Sequence, residues 1–562
     1  MSQQKSPALS ISRILNTKIL AKRLMATSAM TVAGVLAMAS SAYAVGDFET
    51  PQGGSFANGT TGTINYGGAN NQNLGVTTNQ ERTVMDWTTF NLGKDATANF
   101  QQYNNNSTTI NRVNGSVDPT QILGTLSSNG KLVILDPNGI LVGNGAKINV
   151  GGILASTGEM TNLANFLNGT DGQIRLQMNT DASVENYGTI TTVRDRGLVA
   201  LVAPTVKNGG LITARLGKVA LSSGKVLSVD LYGDGLISLA SGELEKSLAE
   251  NSGTITAQGG TVVMSAGVAG NVVDSVVNMS GVINADSYSN TNGKITLGGS
   301  TTGKVKVSGT VQAKNTLAGS IISPVTGNGG DVDIRGNDVE ITSSAIIDVR
   351  REGSNVTRAY GNGGTVTIAG NNSVSLAGDV KLGSNLFARP LNAAAGNAGT
   401  LTLSAPTLSL LRNIYMGNGT LNIAAQTINL NAGLYDNSGL LGANALMGQN
   451  KLNANAQVVK ILGDNGSIQQ GIYLAKGDGT AQIFVAAGNY AENLTVGKSV
   501  TIQGADGARI TGAILPVSDS IVKITANGVT FRGFEIDALN VLNTKLYGIS
   551  ANGVSNLRLE NN

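Results

Sequence analysis

Neither cysteine nor histidine occurs anywhere in the 562 residues. That double absence removes disulfides, thiolate nucleophiles, Ser-His-Asp triads and ordinary zinc sites together, so neither a metal nor a cofactor is expected. Aromatic residues are scarce at 4%, and charged residues make up only 13%. A chain so poor in aromatics does not have the composition of a typical globular enzyme, yet its 41% of apolar residues is too high for disorder. Beyond the leader described next, no apolar run is long enough for a membrane helix, so no integral membrane span is expected.

What is present begins with that leader. Lys5, Arg13, Lys18, Lys22 and Arg23 form a basic stretch without a single acid, Leu24 to Ala39 is apolar, and Ala42-Tyr43-Ala44 supplies a small-x-small cleavage pattern. The apolar part is shorter than the roughly 20 residues a bilayer requires. Residues 1–44 therefore read as a secretory signal peptide, with the mature chain starting at Val45. The whole chain carries 38 Lys+Arg against 35 Asp+Glu, and loss of the five leader bases leaves 33 against 35, a net charge of −2. The basic balance belongs to the leader, and nothing global favours nucleic acid as a partner.

Glycine is abundant, at 75 residues. It bounds short alternating segments such as Thr365-Val366-Thr367-Ile368 and Lys304-Val305-Lys306-Val307, which read as strands between turns. These segments recur. Val184-Glu185-Asn186-Tyr187-Gly188-Thr189-Ile190 followed by Gly197-Leu198-Val199-Ala200-Leu201 returns as Val206-Lys207-Asn208-Gly209-Gly210-Leu211-Ile212 followed by Gly217-Lys218-Val219-Ala220-Leu221, with a step of 22 residues from Asn186 to Asn208 and from Ile190 to Ile212. Further copies start at Asn251 and at Asn278, with looser ones near Gly309, Gly330 and Gly364. A repeat of this length with two or three strands suits one coil of a β-solenoid, in which each strand stacks on its counterparts and inward Val, Ile and Leu form ladders. Propellers and leucine-rich horseshoes have signatures that are missing here. The expected fold is all-β, a right-handed parallel β-helix following a cleaved signal peptide. The recurring Gly and Asn are expected as tight-turn residues tolerant of positive φ.

Within that pattern lie Val84-Met85-Asp86-Trp87-Thr88-Thr89-Phe90-Asn91-Leu92-Gly93, Ile110-Asn111-Arg112-Val113, Gln121-Ile122-Leu123-Gly124, Asn129 to Leu135, Asp136-Pro137-Asn138-Gly139-Ile140-Leu141-Val142-Gly143 and Gly151 to Thr157. Together they resemble the N-terminal secretion domain of two-partner-secretion exoproteins, the filamentous-haemagglutinin and high-molecular-weight-adhesin family. The resemblance implies export through an outer-membrane transporter whose periplasmic domains recognise this region, and folding outside the cell as coils emerge. The lack of cysteine suits such a route, because disulfides formed on the way would obstruct a narrow pore. By the same resemblance Asn111, Arg112, Asp136, Pro137, Asn138, Gly139 and Ile140 are the candidate secretion and transporter-recognition residues. The family's Asn-Pro-Asn-Gly turn has Asp136 at its first position here. Asp and Asn both cap turns through a side-chain oxygen, so the turn is expected to survive. The family's Asn-Pro-Asn-Leu motif is not visible. Trp87, the sole tryptophan, is expected in the core.

From about Gln469 the pattern changes. Ile483 to Leu494 followed by Val500-Thr501-Ile502-Gln503-Gly504 resembles the opening coils of pectin-lyase-like β-helices. The expected organisation is thus a signal peptide at 1–44, a secretion-type β-helix domain at 45–300, Gly/Asn-rich solenoid repeats at 301–468, and pectin-lyase-like coils at 469–562. The last coil carries no polar cap, and the chain is expected either to be part of a longer protein or to stack its open end on something else. A surface adhesin or extracellular structural protein, displayed or released outside a Gram-negative cell, is the expected function, without enzymatic activity. Two alternatives stand beside it: the front part of a contact-dependent toxin or haemolysin, and a polysaccharide-active enzyme using Arg532, Glu535, Asp537, Arg558 or Glu560. Fold alone does not choose among them.

Overall fold

The computed structural model describes residues 44–562 except 232–236, 242–246, 268–274, 289–290, 299–302, 316–324, 327, 352–358, 361, 384–397, 418, 437–438, 441–451, 513–518 and 538–546. The expected signal peptide lies, but for Ala44, outside the described residues.

From Asp47 onward the strands stack in parallel, coil upon coil, as a β-helix. The step inferred from sequence is the register found: Asn186 pairs with Asn208 and Ile190 with Ile212. Two of the inward ladders that run through the coils show the stacking. One is Ala98, Leu126, Ile148, Ile190, Ile212, Ile255, Ile283, Val311, Ile347 and Val380, each paired with the next. The other starts at Met85, Asn111, Ile134, Ala155 and Leu201 and continues through Leu221, Met264, Leu297, Ile334 and Ile368. Alternation puts every second side chain inside, and stacking identical positions turns that alternation into one continuous core. At the start of the helix the ladder is closed by antiparallel pairs, Ser55–Ala57 on Arg82–Trp87 and Gly62–Gly67 on Asn73–Thr78, which cover an otherwise open sheet edge.

Three findings depart from the sequence reading. The copy placed at Asn278 is offset by one residue, because Asn251 pairs with Met279 while Asn278 pairs with Glu250. The corner glycines, second, are required for space and not for positive φ. A Cβ on Gly210 would lie 2.2 Å from the Gly188 carbonyl oxygen, one on Gly253 2.2 Å from that of Gly210, and one on Gly281 2.1 Å from that of Gly253; none of these glycines has positive φ. The asparagines at the same corner, third, turn inward. Asn186 donates to Asn208 Oδ1 at 2.7 Å and Asn208 to Asn251 Oδ1 at 2.7 Å, all three fully buried.

An outer layer covers part of the secretion-type region. Glu159–Met160, Gln173–Gln177, Val226–Asp230 and Ile237–Ser241 form a small antiparallel sheet. It buries the outward residues Val84, Ile110, Val133, Leu154 and Ala200 beneath Phe166, Ile174, Leu176, Leu227 and Val229. Runs such as Leu132 to Leu135 and Leu198 to Val202 are therefore buried on both faces, which is why they are continuously apolar and not alternating. Arg82 fastens this layer to the helix. Its guanidinium lies 4.7 Å from the Phe166 ring centroid and donates to the carbonyls of Phe166 and Asp171.

Beyond Val458 the three-stranded coil is rebuilt, with one stack carried on and two begun anew. Ser499–Gly504, Thr530–Arg532 and Arg558–Glu560 continue the main sheet, while Gly488–Tyr490 with Ala508–Ile510 and Leu494–Val496 with Ser520–Ile524 start two further parallel sheets. The helix Ile468–Leu474 sits where the coil changes. Glu492 accepts from Ser467 Oγ and from the amides of Ile468 and Gln469 at its start, and Lys498 donates to the carbonyls of Tyr473 and Ala475 at its end. Opposite charges at the two ends match the helix dipole.

Candidate functional site

The seven candidate residues fall on two adjacent coils, and the joining loop from Asn114 to Thr120, which follows Arg112 in its own coil, is hydrogen-bonded to the turn of the next. Asn111 and Arg112 are neighbours on the strand Thr108–Val113, so their side chains leave opposite faces. Asn111 points inward and is fully buried, the one polar rung between Met85 and Ile134. Its Oδ1 accepts the Trp87 indole N–H at 3.0 Å, and its amide donates to the Val133 carbonyl at 3.3 Å. Trp87, 1% exposed, meets Phe90 edge-on at 5.6 Å. A buried indole needs such an acceptor, so Asn111 and Trp87 are one structural unit in the core.

Arg112 points outward. It grips Asp86, its direct partner on the neighbouring strand, through two bonds of 2.7 and 2.9 Å. Asn114 adds a third bond to the same carboxylate at 2.9 Å. Both charged side chains are about 30% exposed, at 29% and 31%, so the pair is held in place yet reachable from outside.

The Asp136–Gly139 turn is built around the Asp136 carboxylate, which is completely buried. One oxygen accepts from the amide and side chain of Asn138, at 2.9 and 3.2 Å. The other accepts from the amide and hydroxyl of Thr120, at 3.0 and 2.7 Å. Burial raises the carboxyl above its ordinary value, against the four donors that draw it down. Asn138 also donates to the Ser116 carbonyl at 2.9 Å, and Thr180 donates to the Pro137 carbonyl at 2.8 Å. The turn thus ties the coil before it to the coil after it. Gly139 takes φ +123°, with Ser183 and Pro119 close to where a Cβ would sit, so glycine is required there for both reasons. Ile140 is buried between Thr120 and Val184.

Of the seven, then, Asn111, Asp136, Gly139 and Ile140 are internal, while Arg112, Pro137 and Asn138 reach the surface. Beside them Val117 is 87% exposed at the tip of the joining loop. Sequence reading passed over Asp86, Asn114, Ser116 and Thr120. Asp86 was within reach of it, since it lies in the same motif and one coil from Arg112.

The five charged residues behind the enzyme alternative do not share a face. Arg532, Arg558 and Glu560 lie on the main sheet, and Glu535 and Asp537 belong to the second face. Arg532 pairs with Glu560 at 3.6 Å, and Arg509 pairs with both Glu535 and Asp537. Four of the five, Arg532, Glu535, Asp537 and Glu560, are thus held in ion pairs between consecutive coils.

The family model of the TPS secretion domain (TPS, two-partner secretion) matches residues 49–313. Two heme/hemopexin-binding proteins of Haemophilus influenzae are similar, one 30% identical over 219 residues and the other 28% identical over 234. These alignments take in 38% and 39% of this chain but only 24% and 25% of the relatives, so the chain spans about a quarter of their length. The crystal structure of the HMW1 secretion domain from Haemophilus influenzae superposes with a TM-score of 0.53 at 22% identity, covering 72% of this chain and 99% of that one, a likeness of fold. With the secretion-domain match carried on a β-helix of this kind, residues 49–313 are a secretion domain of the two-partner-secretion type.

Proposed function

We propose that this protein is a secreted surface adhesin or extracellular structural protein, and that an outer-membrane two-partner-secretion transporter recognises its N-terminal β-helix in the periplasm. The observation that carries this reading is the secretion-domain match over residues 49–313. In this reading residues 45–300 are the secretion domain, 301–468 form a Gly/Asn-rich shaft, and 469–562 are pectin-lyase-like coils. Arg112, Pro137 and Asn138 contact the transporter, while Asn111, Asp136, Gly139 and Ile140 hold the turn and its strand in place. Nearest-neighbour stacking suits export in an unfolded state, since each coil is templated by the one before it and needs no distant contact to begin.

The relatives' name raises heme binding as a second reading. Within these 562 residues there is no histidine or cysteine, so a heme iron would have to take Met or Tyr as its ligand, and the adhesin reading is the simpler. The test is Asn138→Ala, expressed with the partner transporter. It removes the bond to Ser116 and one bond to Asp136, a loss of about 1–2 kcal/mol, which leaves most of the β-helix intact. Reduced protein in the medium with accumulation in the periplasm is expected. Wild-type secretion would remove the turn from the recognition site.

A further inference from the structure

A cleft of about 510 Å³ opens where the Gly/Asn-rich coils meet the rebuilt coils beyond Val458. Its polar rim comes from Thr402, Asn422, Asn453 and Asn455, and its far wall from Tyr473 and Lys498. Leu452 and Ile423 supply an apolar floor. The cleft exists because a ladder stops. Leu452–Asn453 stacks on Thr420–Ala424, and among the described residues no later strand stacks on it. The helix Ile468–Leu474 occupies the next coil instead.

We propose that this cleft binds a neutral glycan, one chain of which lies along the row of side chains leading into it. Thr367, Thr402, Asn422 and Asn453 follow one another in register up the sheet, and Asn453 donates to Asn422 Oδ1 at 2.7 Å. Strand spacing of about 4.8 Å sets one hydroxyl or amide per coil, an interval on the scale of a sugar unit. Asn carries donors and an acceptor side by side, which matches vicinal hydroxyls that both donate and accept. Apolar floor, convergent polar groups and volume are those of a small-ligand site.

Charge decides which glycan. The outward positions of Thr365 to Ile368, Thr400–Ser404 and Thr420–Ala424 hold no charged residue, although the preceding coil presents Asp331 and Asp333. No carboxylate lines the cleft among the described residues, and its one cation is committed to the wall, Lys498 Nζ donating to Tyr473 O at 2.6 Å and Ala475 O at 2.7 Å. An anionic sugar would find as its counter-charge only that single ammonium, two of whose three N–H bonds are held by the wall. A peptide added to the free strand edge would find only two residues to pair with, too few for strand addition.

This inference rests on the adhesin reading and names its ligand class. The test uses the full secreted chain, titrated calorimetrically with cellotriose, maltotriose and triacetylchitotriose, with 3′-sialyllactose, a heparin hexasaccharide and a nonapeptide pool as comparators. Sub-millimolar binding of at least one neutral trisaccharide is expected, weakened at least tenfold by Asn422→Ala with Asn453→Ala and by Asn455→Ala alone. Asn429→Ala, one row away and bonded to Ser409, should leave it unchanged. Circular dichroism of each variant shows whether it folds. Absence of neutral-sugar binding, preference for an anionic glycan or peptide, or indifference to both cleft variants would overturn the proposal. Cells that adhere through the chain although no neutral sugar binds would sink this inference and leave the adhesin reading standing.

Discussion

Replacing Asn208 by Ala probes the inward amide ladder directly. Asn208 accepts from Asn186 at 2.7 Å and donates to Asn251 at 2.7 Å, and all three side chains are fully buried. Alanine removes both bonds, leaving the Asn186 amide without its acceptor and the Asn251 oxygen without its donor, where water does not reach. Each orphaned buried group costs about 1–3 kcal/mol, so a local loss of about 3 kcal/mol is expected, a roughly hundredfold rise in an opening equilibrium. The appropriate measurement is hydrogen exchange, because a solenoid opens coil by coil and one global midpoint does not describe it. Peptides spanning Ser183–Asn186, Thr205–Asn208 and Leu248–Asn251 should exchange about a hundredfold faster. Peptides from Thr108–Val113 or Thr400–Ser404, several coils away, should not change. Exchange within threefold of wild type in the three ladder strands would show that the amides add nothing net. Acceleration spread evenly over the chain would refute the nearest-neighbour account.

Other perturbations address the candidate site. A double-mutant cycle on Asp86 and Arg112 should give a coupling of only about 0.5–1 kcal/mol in hydrogen exchange of the strands that carry them, because both side chains are partly exposed; Arg112→Ala should nonetheless lower secretion more than that figure implies if Arg112 meets the transporter. Asp136→Asn tests the buried carboxyl. Its folded value lies above the unfolded one, so the folded state binds more protons between the two, and stability falls as pH rises from about 4 through the raised folded value. In the Asn variant that slope should vanish from exchange at Thr120, and an unchanged slope would place the titration elsewhere.

Much of the architecture is legible in the amino-acid sequence, because a solenoid repeats its own neighbours. Asn186 and Asn208 occur in matching words 22 residues apart, and they are matched in space for the same reason. One-dimensional stacking converts sequence period into register without a search through topologies. The reading slipped by one residue at a single copy. At Asn278 the corner glycine Gly281, and not the preceding asparagine, keeps the register, since its close approach to Gly253 leaves no alternative.

The candidate site was half legible. The resemblance to the secretion-domain motifs picked out Asn111, Arg112 and the Asp136–Gly139 turn, and alternation assigns Asn111 and Arg112 to opposite faces. Which face is inside is decided by stacking on Met85 and Asp86, and the indole that Asn111 holds lies 24 residues away. The outer layer shows the same division. The sequence alone makes Leu132 to Leu135 and Leu198 to Val202 too apolar for a strand with one face in water. Only the tertiary structure identifies what covers them, because Gln173–Gln177 and Val226–Asp230 pair antiparallel across about fifty residues outside the repeat. Period determines what lies directly above and below each residue; contacts that leave the period, such as this layer, the Asp136 turn and the cleft beside Lys498, are settled by chain reach and packing in three dimensions.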